Sequence, residues 1–208
     1  MIELFISSFA TFFVVIDPPG CAPIFASLTG NAAPDERRRM AVRSVVVASG
    51  ILLFFGLLGE DLLKAVGISL HAFRIAGGIM LFLIALEMVF EKRTARREER
   101  AQEVSATPEA ADDISVFPMA IPMIAGPGSI ASVMLLVGVS HGLQESLVVF
   151  SALASVLLLC LLSLLAAGAL MRLIGHKMEA MLTRLLGVIL AALAAQFVID
   201  GVKGAISA

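Results

Sequence analysis

The chain has 208 residues, of which 59% are hydrophobic and only 15% charged, where an ordinary soluble domain carries about 25% charged residues. A mean hydropathy of +0.99 makes it a polytopic membrane protein. Its net charge of −2 leaves no dense basic face to neutralise phosphates, which excludes a nucleic-acid partner.

Six hydrophobic runs follow one another. The first extends from Leu4 to about Leu28; the N-terminus carries Glu3 and no basic stretch, so it opens a membrane span and not a cleaved leader. After the connector GNAAPDERRR the second run covers about Ala41 to Leu58, and the third covers about His71 to Phe90. A charged linker, residues 91–113, separates these from the fourth run at about Ser115 to Gly138, the fifth at about Leu147 to Met171 and the sixth at about Leu182 to Ile199. At 1.5 Å per residue each run covers roughly the 30 Å hydrocarbon core. The chain reads as one membrane domain, with a first half at 1–90 and a second at 114–208. Connectors after the odd spans carry twelve Lys and Arg, and the opposite side carries three, namely Lys64, Arg74 and Lys203. Positive charge stays inside, so the linker is expected in the cytoplasm and both termini outside, in a cell inner membrane.

Inside the first run stands IDPPGCAP, residues 16–23, which sets a carboxylate, three prolines and a glycine where only apolar helix belongs. Each proline deletes a backbone donor, and a charge at mid-membrane costs at least ~2.5 kcal/mol, so the expectation is an unwound, discontinuous helix. The fourth run repeats the device with Pro118, Pro122, Gly126, Pro127 and Gly128. A shift of 108 positions lays IDPPGC at 16–21 over IAGPGS at 124–129, and nearly the same shift pairs Arg74 with Arg184 and Gly77 with Gly187. Three spans per half is an odd number, so the second copy must be inverted. The expected fold is all-α: six transmembrane helices as two inverted three-helix repeats with broken first and fourth helices, the pattern of a transporter with a midplane site.

DPPGCAPIF with LTG behind it, and PMAIPMIAGPGSIA in the second half, resemble the MarC family of integral membrane proteins over essentially the whole chain. Members typically carry a DPxGNxP-like first motif and an AGPG-like second one; here Cys21 replaces the usual Asn and removes a polar ligand. The resemblance implies a fold similar to the LysE-type exporters and, for some members, a likeness to transporters of small neutral amino acids.

The candidate binding residues for substrate or coupling ion are those of the two breaks: Asp17, Pro18, Pro19, Gly20, Cys21 and Thr29 in the first, and Ala125, Gly126, Pro127, Gly128 and Ser129 in the second. A half-helix N-terminus would hold the carboxylate of an amino acid, and Asp17 would take its ammonium or a coupling proton. The rival reading makes Asp17 the packing partner of a buried Arg. Thr29 reads equally as a hydroxyl contact or a helix-end residue. Arg74, Glu87, Arg184 and Gln196 read as anchors, helix-pairing groups or relay groups. Cys21 and Cys160 lack a CxxC spacing, and His71, His141 and His176 share no metal-ligand spacing, so neither a metal nor a cofactor is expected. Ser129 sits in no GxSxG elbow, which argues against an enzyme. The expected function is transport of small solutes by alternating access, with a channel-like or structural membrane protein as the rival. The lipid bilayer and a small-molecule substrate are the implied partners, with proton or sodium coupling and homo-oligomerisation both compatible with the pattern.

Overall fold

A computed structural model of the chain describes residues 1–30, 32–93, 96–97, 99 and 114–207, and in the last helix it describes backbone alone at 170–177 and 179. Residues 94, 95, 98 and 100–113 of the charged linker, and the side chain of His176, therefore lie outside the described residues. What is described is helical: α1 (Ile2–Ile16), α2 (Pro18–Leu28), α3 (Pro34–Ala65), α4 (Leu70–Val89), an irregular wide turn (Ser115–Ile124), α5 (Pro127–Gly138), α6 (Leu143–Leu165) and α7 (Ala167–Ser207). Five stretches are long and apolar enough to cross a membrane, and the irregular turn with α5 makes a sixth, bent by 54°.

Local chemistry places the ends. Pro34 opens α3, where the missing N–H costs nothing, and Glu36 reaches back to accept the Ala33 N–H at 3.2 Å. The chain turns between α3 and α4 at Gly67, whose φ of 73° suits glycine, and the Ser69 hydroxyl then accepts the Ala72 N–H at 3.1 Å.

The first break is narrower than the sequence suggests. Unwinding is confined to Asp17, which adopts the left-handed conformation (φ 58°, ψ 65°) that Asp tolerates better than most residues. Pro18 and Pro19 do not extend the break: they occupy the first two positions of α2, where a helix has no use for their N–H groups. In the second break, proline does unwind the chain. Phe117 (φ −128°, ψ 126°) and Ile121 (φ −124°, ψ 124°) are extended because each precedes a proline, and the peptide bonds to Pro118 and Pro122 are cis.

The spans pack reciprocally. The first span lies against α6, the fourth lies against α3, and α4 lies along α7 in the most extensive helix contact of the molecule. That last contact is close because Gly78 and Gly201 lack side chains; a methyl at Gly78 would stand 2.9 Å from the Ala194 carbonyl oxygen. Phe12, Ile16, Phe25, Leu52, Leu153 and Val156 are buried in the main core, and Val15, Leu81, Ala85, Met88, Leu190 and Ala194 in a second one beside it. Exposure is graded: the most apolar window of the first span is 56% buried and that of the last only 22%. The first span is thus central, and exposed Leu57, Leu158, Leu162 and Val188 form an outer surface suited to lipid.

Candidate functional site

The two breaks meet. A methyl placed at Gly128 would lie 3.2 Å from Val15 Cγ1, so the start of α5 rests against the end of α1. Between them opens a cavity of about 130 Å³ lined by Val15 of α1, Ile84 and Glu87 of α4, and Arg93, Arg96 and Arg97 just beyond α4. Pro118, Pro122, Met123, Gly126, Pro127, Gly128 and Ser129 form its other wall.

At the first break most exposed backbone groups are already served. Asp17 caps α2, its Oδ1 accepting the Gly20 N–H at 3.1 Å, and its Oδ2 pairs with Arg97 Nη1 at 3.2 Å. The carboxylate is 1% exposed and the Arg97 side chain 10%, so this is a buried ion pair with its remaining acceptor filled. Glycine is required at position 20 because a methyl there would stand 2.1 Å from Asp17 Oδ2. The last carbonyls of α1, orphaned as at any helix C-terminus, find donors too. Arg93 Nη2 donates to the Val15 carbonyl at 2.7 Å, and the Cys21 thiol lies 3.5 Å from that of Ile16. Arg93 Nη1 also points at Met88 Sδ, 3.0 Å away. Burial, and behind it repulsion from Arg97, pushes Arg93 down to about 10, which leaves it cationic at neutral pH.

The second break is different. Gly126 caps α5 with no side-chain hydrogen bond, and Pro127 carries no N–H. The N–H groups of Gly128 and Ser129, both residues of the cavity lining, thus have no cap among the described residues, and the first turn of α5 brings the positive end of a helix dipole to that wall. Gly126 cannot be replaced by a residue that would cap: a methyl there would stand 2.4 Å from the Pro122 carbonyl oxygen.

Of the residues singled out from the sequence, Gly126, Pro127, Gly128, Ser129 and Glu87 line the cavity. Asp17, Pro18, Pro19, Gly20, Cys21 and Ala125 are not part of the lining, and Asp17 pairs with Arg97. Thr29 closes α2 at its far end, its hydroxyl donating to the Phe25 carbonyl at 2.7 Å while its own carbonyl accepts from Arg37 at 3.0 Å. Glu87 pairs with Arg96 at 2.8 Å, and Arg184 with Glu91 at 2.5 Å. Both partners, Arg96 and Glu91, belong to the chain just beyond α4. Arg74 is half-buried on α4 outside the lining, and Gln196 donates to Asp200 within α7 at 2.8 Å. The two thiols, 139 positions apart in sequence, are both free and buried in the main core.

Arg93, Arg96 and Arg97 are the residues a linear reading misses, since they belong to a hydrophilic linker. Their spacing of three and one places all three on one face of a helix directly after an apolar span, the signal of a cationic stripe turned inward. A second feature lies along the contact of α1 with α5. Ser8 stands two turns before Val15 and Ser132 one turn after Gly128, and both hydroxyls are buried without a partner among the described residues.

The sequence profile described as MarC family integral membrane protein matches residues 2–206. The chain is 38% identical over 205 residues to a UPF0056 membrane protein of Methanocaldococcus jannaschii, covering 99% of this chain and 98% of that one. It is 34% identical to the UPF0056 membrane protein YvbG of Bacillus subtilis, over 98% of this chain and 96% of the relative. To the UPF0056 inner membrane protein YhgN of Escherichia coli it is 33% identical, over 95% of each. No solved structure matches the chain.

Proposed function

The chain belongs to the MarC family of integral membrane proteins, and we propose that it is a carrier that moves small metabolites across the bilayer by alternating access at the cavity between its two breaks. The observation that carries this reading is the meeting of two interrupted membrane segments at one cavity lined by three arginines and a glutamate, with a helix N-terminus in its wall that no described residue caps. A structural membrane protein has no use for three arginines and an uncapped helix around an internal space.

The reciprocal packing supports the inverted repeat. Exchanging spans one and four, two and five, and three and six maps the contact of the first span with the fifth onto that of the fourth with the second, and maps the third against the sixth onto itself. In this reading the cavity is open towards the side of the charged linker, which the positive-inside rule assigns to the cytoplasm, with both termini outside. Arg96, 53% exposed, stands at the mouth and Arg97, 10% exposed, at the floor. The partnerless hydroxyls of Ser8 and Ser132 mark the closed half of the path on the other side of the breaks. The substrate brings a carboxylate to α5, as a small neutral amino acid or a related metabolite would, and a proton or sodium ion could drive the movement.

Purified protein in liposomes tests the proposal. Saturable uptake that unlabelled solute competes away is the expected result. Non-saturating flux, or none across a panel of small amino acids and carboxylates, would return the protein to the channel-like or structural class.

A further inference from the structure

Among the described residues, both carboxylates at the cavity already hold a cation of the protein's own. The Asp17 carboxylate holds Arg97 and Glu87 holds Arg96, while the Val15 carbonyl at the negative end of α1 holds Arg93. Three described guanidinium groups thus face two described carboxylates, an excess of one positive charge. Arg93 carries that surplus. Of its five N–H donors, two are engaged with Val15 and Met88, and the other three have no partner among the described residues. Across the cavity stand the N–H groups of Gly128 and Ser129, which no described residue caps.

The repeat itself says what is missing. Under the 108-residue shift Asp17 falls on Ala125. The first copy thus brings its own carboxylate to the N-terminus of its second half-helix, whereas the second copy has a methyl group at that position. A cap of one negative charge is built into α2 and withheld from α5.

We propose that the cavity binds a small monocarboxylate without an ammonium group, whose carboxylate lies between Arg93 and the N-terminus of α5 and does there what Asp17 does at α2. An amino acid fits this site less well, because both described carboxylates there already hold an arginine, so no free counter-charge awaits its ammonium, and an unpaired buried cation is costly. The cavity of about 130 Å³ admits a small organic anion. This deepens the carrier reading of the same cavity and rests on it for its meaning in transport, but it is tested by binding alone.

Lactate and alanine have the same number of non-hydrogen atoms and differ by a hydroxyl in place of an ammonium. Titration of the full chain in detergent with lactate, propionate, alanine and chloride, at fixed ionic strength, is the experiment. Lactate and propionate are expected to bind at least tenfold more tightly than alanine, with chloride displacing them only weakly. Arg93→Gln is expected to weaken lactate binding at least tenfold, and Arg93→Lys to restore part of it, with thermal midpoints recorded for both. If Arg93→Gln does not fold, the wild-type ranking of the ligands still decides. Alanine binding as tightly as lactate overturns the proposal. So does chloride competing as well as propionate, or a folded Arg93→Gln protein with unchanged affinity. The two readings fail separately: lactate binding without lactate flux in liposomes keeps the anion site and removes the carrier, whereas alanine flux without lactate binding does the reverse.

Discussion

The two breaks are built from similar sequence and end in opposite states. At the first, Asp17 caps α2, Arg97 neutralises Asp17, and Arg93 and Cys21 serve the carbonyls of α1. At the second, α5 starts from Gly126 and Pro127, and no described residue caps its N–H groups. A broken membrane helix must have its exposed backbone satisfied. One break is satisfied by its own side chains and becomes part of the core; the other has no such carboxylate, and in the proposal above a ligand supplies it. The difference lies in one side chain, Asp17 against Ala125, and in the arginines that gather around the first.

The strongest way to break this contrast is to remove the charge that makes the first break self-sufficient. Asp17→Asn keeps the shape and much of the cap, since Asn caps about as well as Asp, but it leaves Arg97 buried and unpaired. The expected loss is about 3 to 5 kcal/mol, read as a lower thermal midpoint in detergent. Adding Arg97→Met should return most of the loss, because removing both partners of a buried pair is close to neutral. An Asp17→Asn protein with an unchanged midpoint but no solute binding would instead make Asp17 a ligand.

A smaller effect is expected at the join between the breaks. Gly128→Ala puts a methyl 2.7 Å from Ile84 Cδ1 and 3.2 Å from Val15 Cγ1, an overpacking worth about 1 to 3 kcal/mol. It also pushes α5 away from α1, so uptake should fall more than stability does. Equal uptake by this variant and wild type would show that the close approach of the breaks has no part in transport.

Ala125→Asp sharpens the comparison directly by giving the second break the residue of the first. If a vacant helix N-terminus is the site, a carboxylate introduced there competes with the ligand, and lactate affinity should drop about tenfold, or about 1.4 kcal/mol. Unchanged lactate affinity in a folded Ala125→Asp protein would mean that position 125 is not equivalent to position 17 in space.

Much of this was open to a reading of the chain, and the part that was hidden has one cause. Prolines and glycines in apolar runs act locally, so both breaks and the six spans are visible without coordinates. The extent of the first break is a local matter too: a proline pair behind an Asp starts a helix as readily as it ends one. What pairs with Asp17 is not local. Arg97 lies 80 positions away, in a stretch whose charge assigns it to water on hydropathy alone. A buried carboxylate announces that a cation must come to it, but only the path of the chain after α4 tells which one, and Arg74 and Arg184 are as plausible on paper. The cationic wall of the cavity is hidden for the same reason, although the helical spacing of Arg93, Arg96 and Arg97 marks it once fold-back is considered.

The smallest expected change is the most discriminating about what the open break receives. Glu87 and Arg96 form a pair whose side chains are 26% and 53% exposed, and at that exposure an ion pair contributes about 0 to 1 kcal/mol to stability. Glu87→Gln should therefore leave the thermal midpoint almost unmoved. It releases Arg96, however, and raises the cavity's surplus from one positive charge to two, so a monocarboxylate should bind a few-fold more tightly and alanine should gain little. The opposite result, in which alanine affinity falls while the midpoint holds, would make Glu87 the acceptor for a ligand ammonium. The second break would then still be the vacant one, but its ligand would be a zwitterion held by both ends, with Arg96 giving up its partner as the solute arrives.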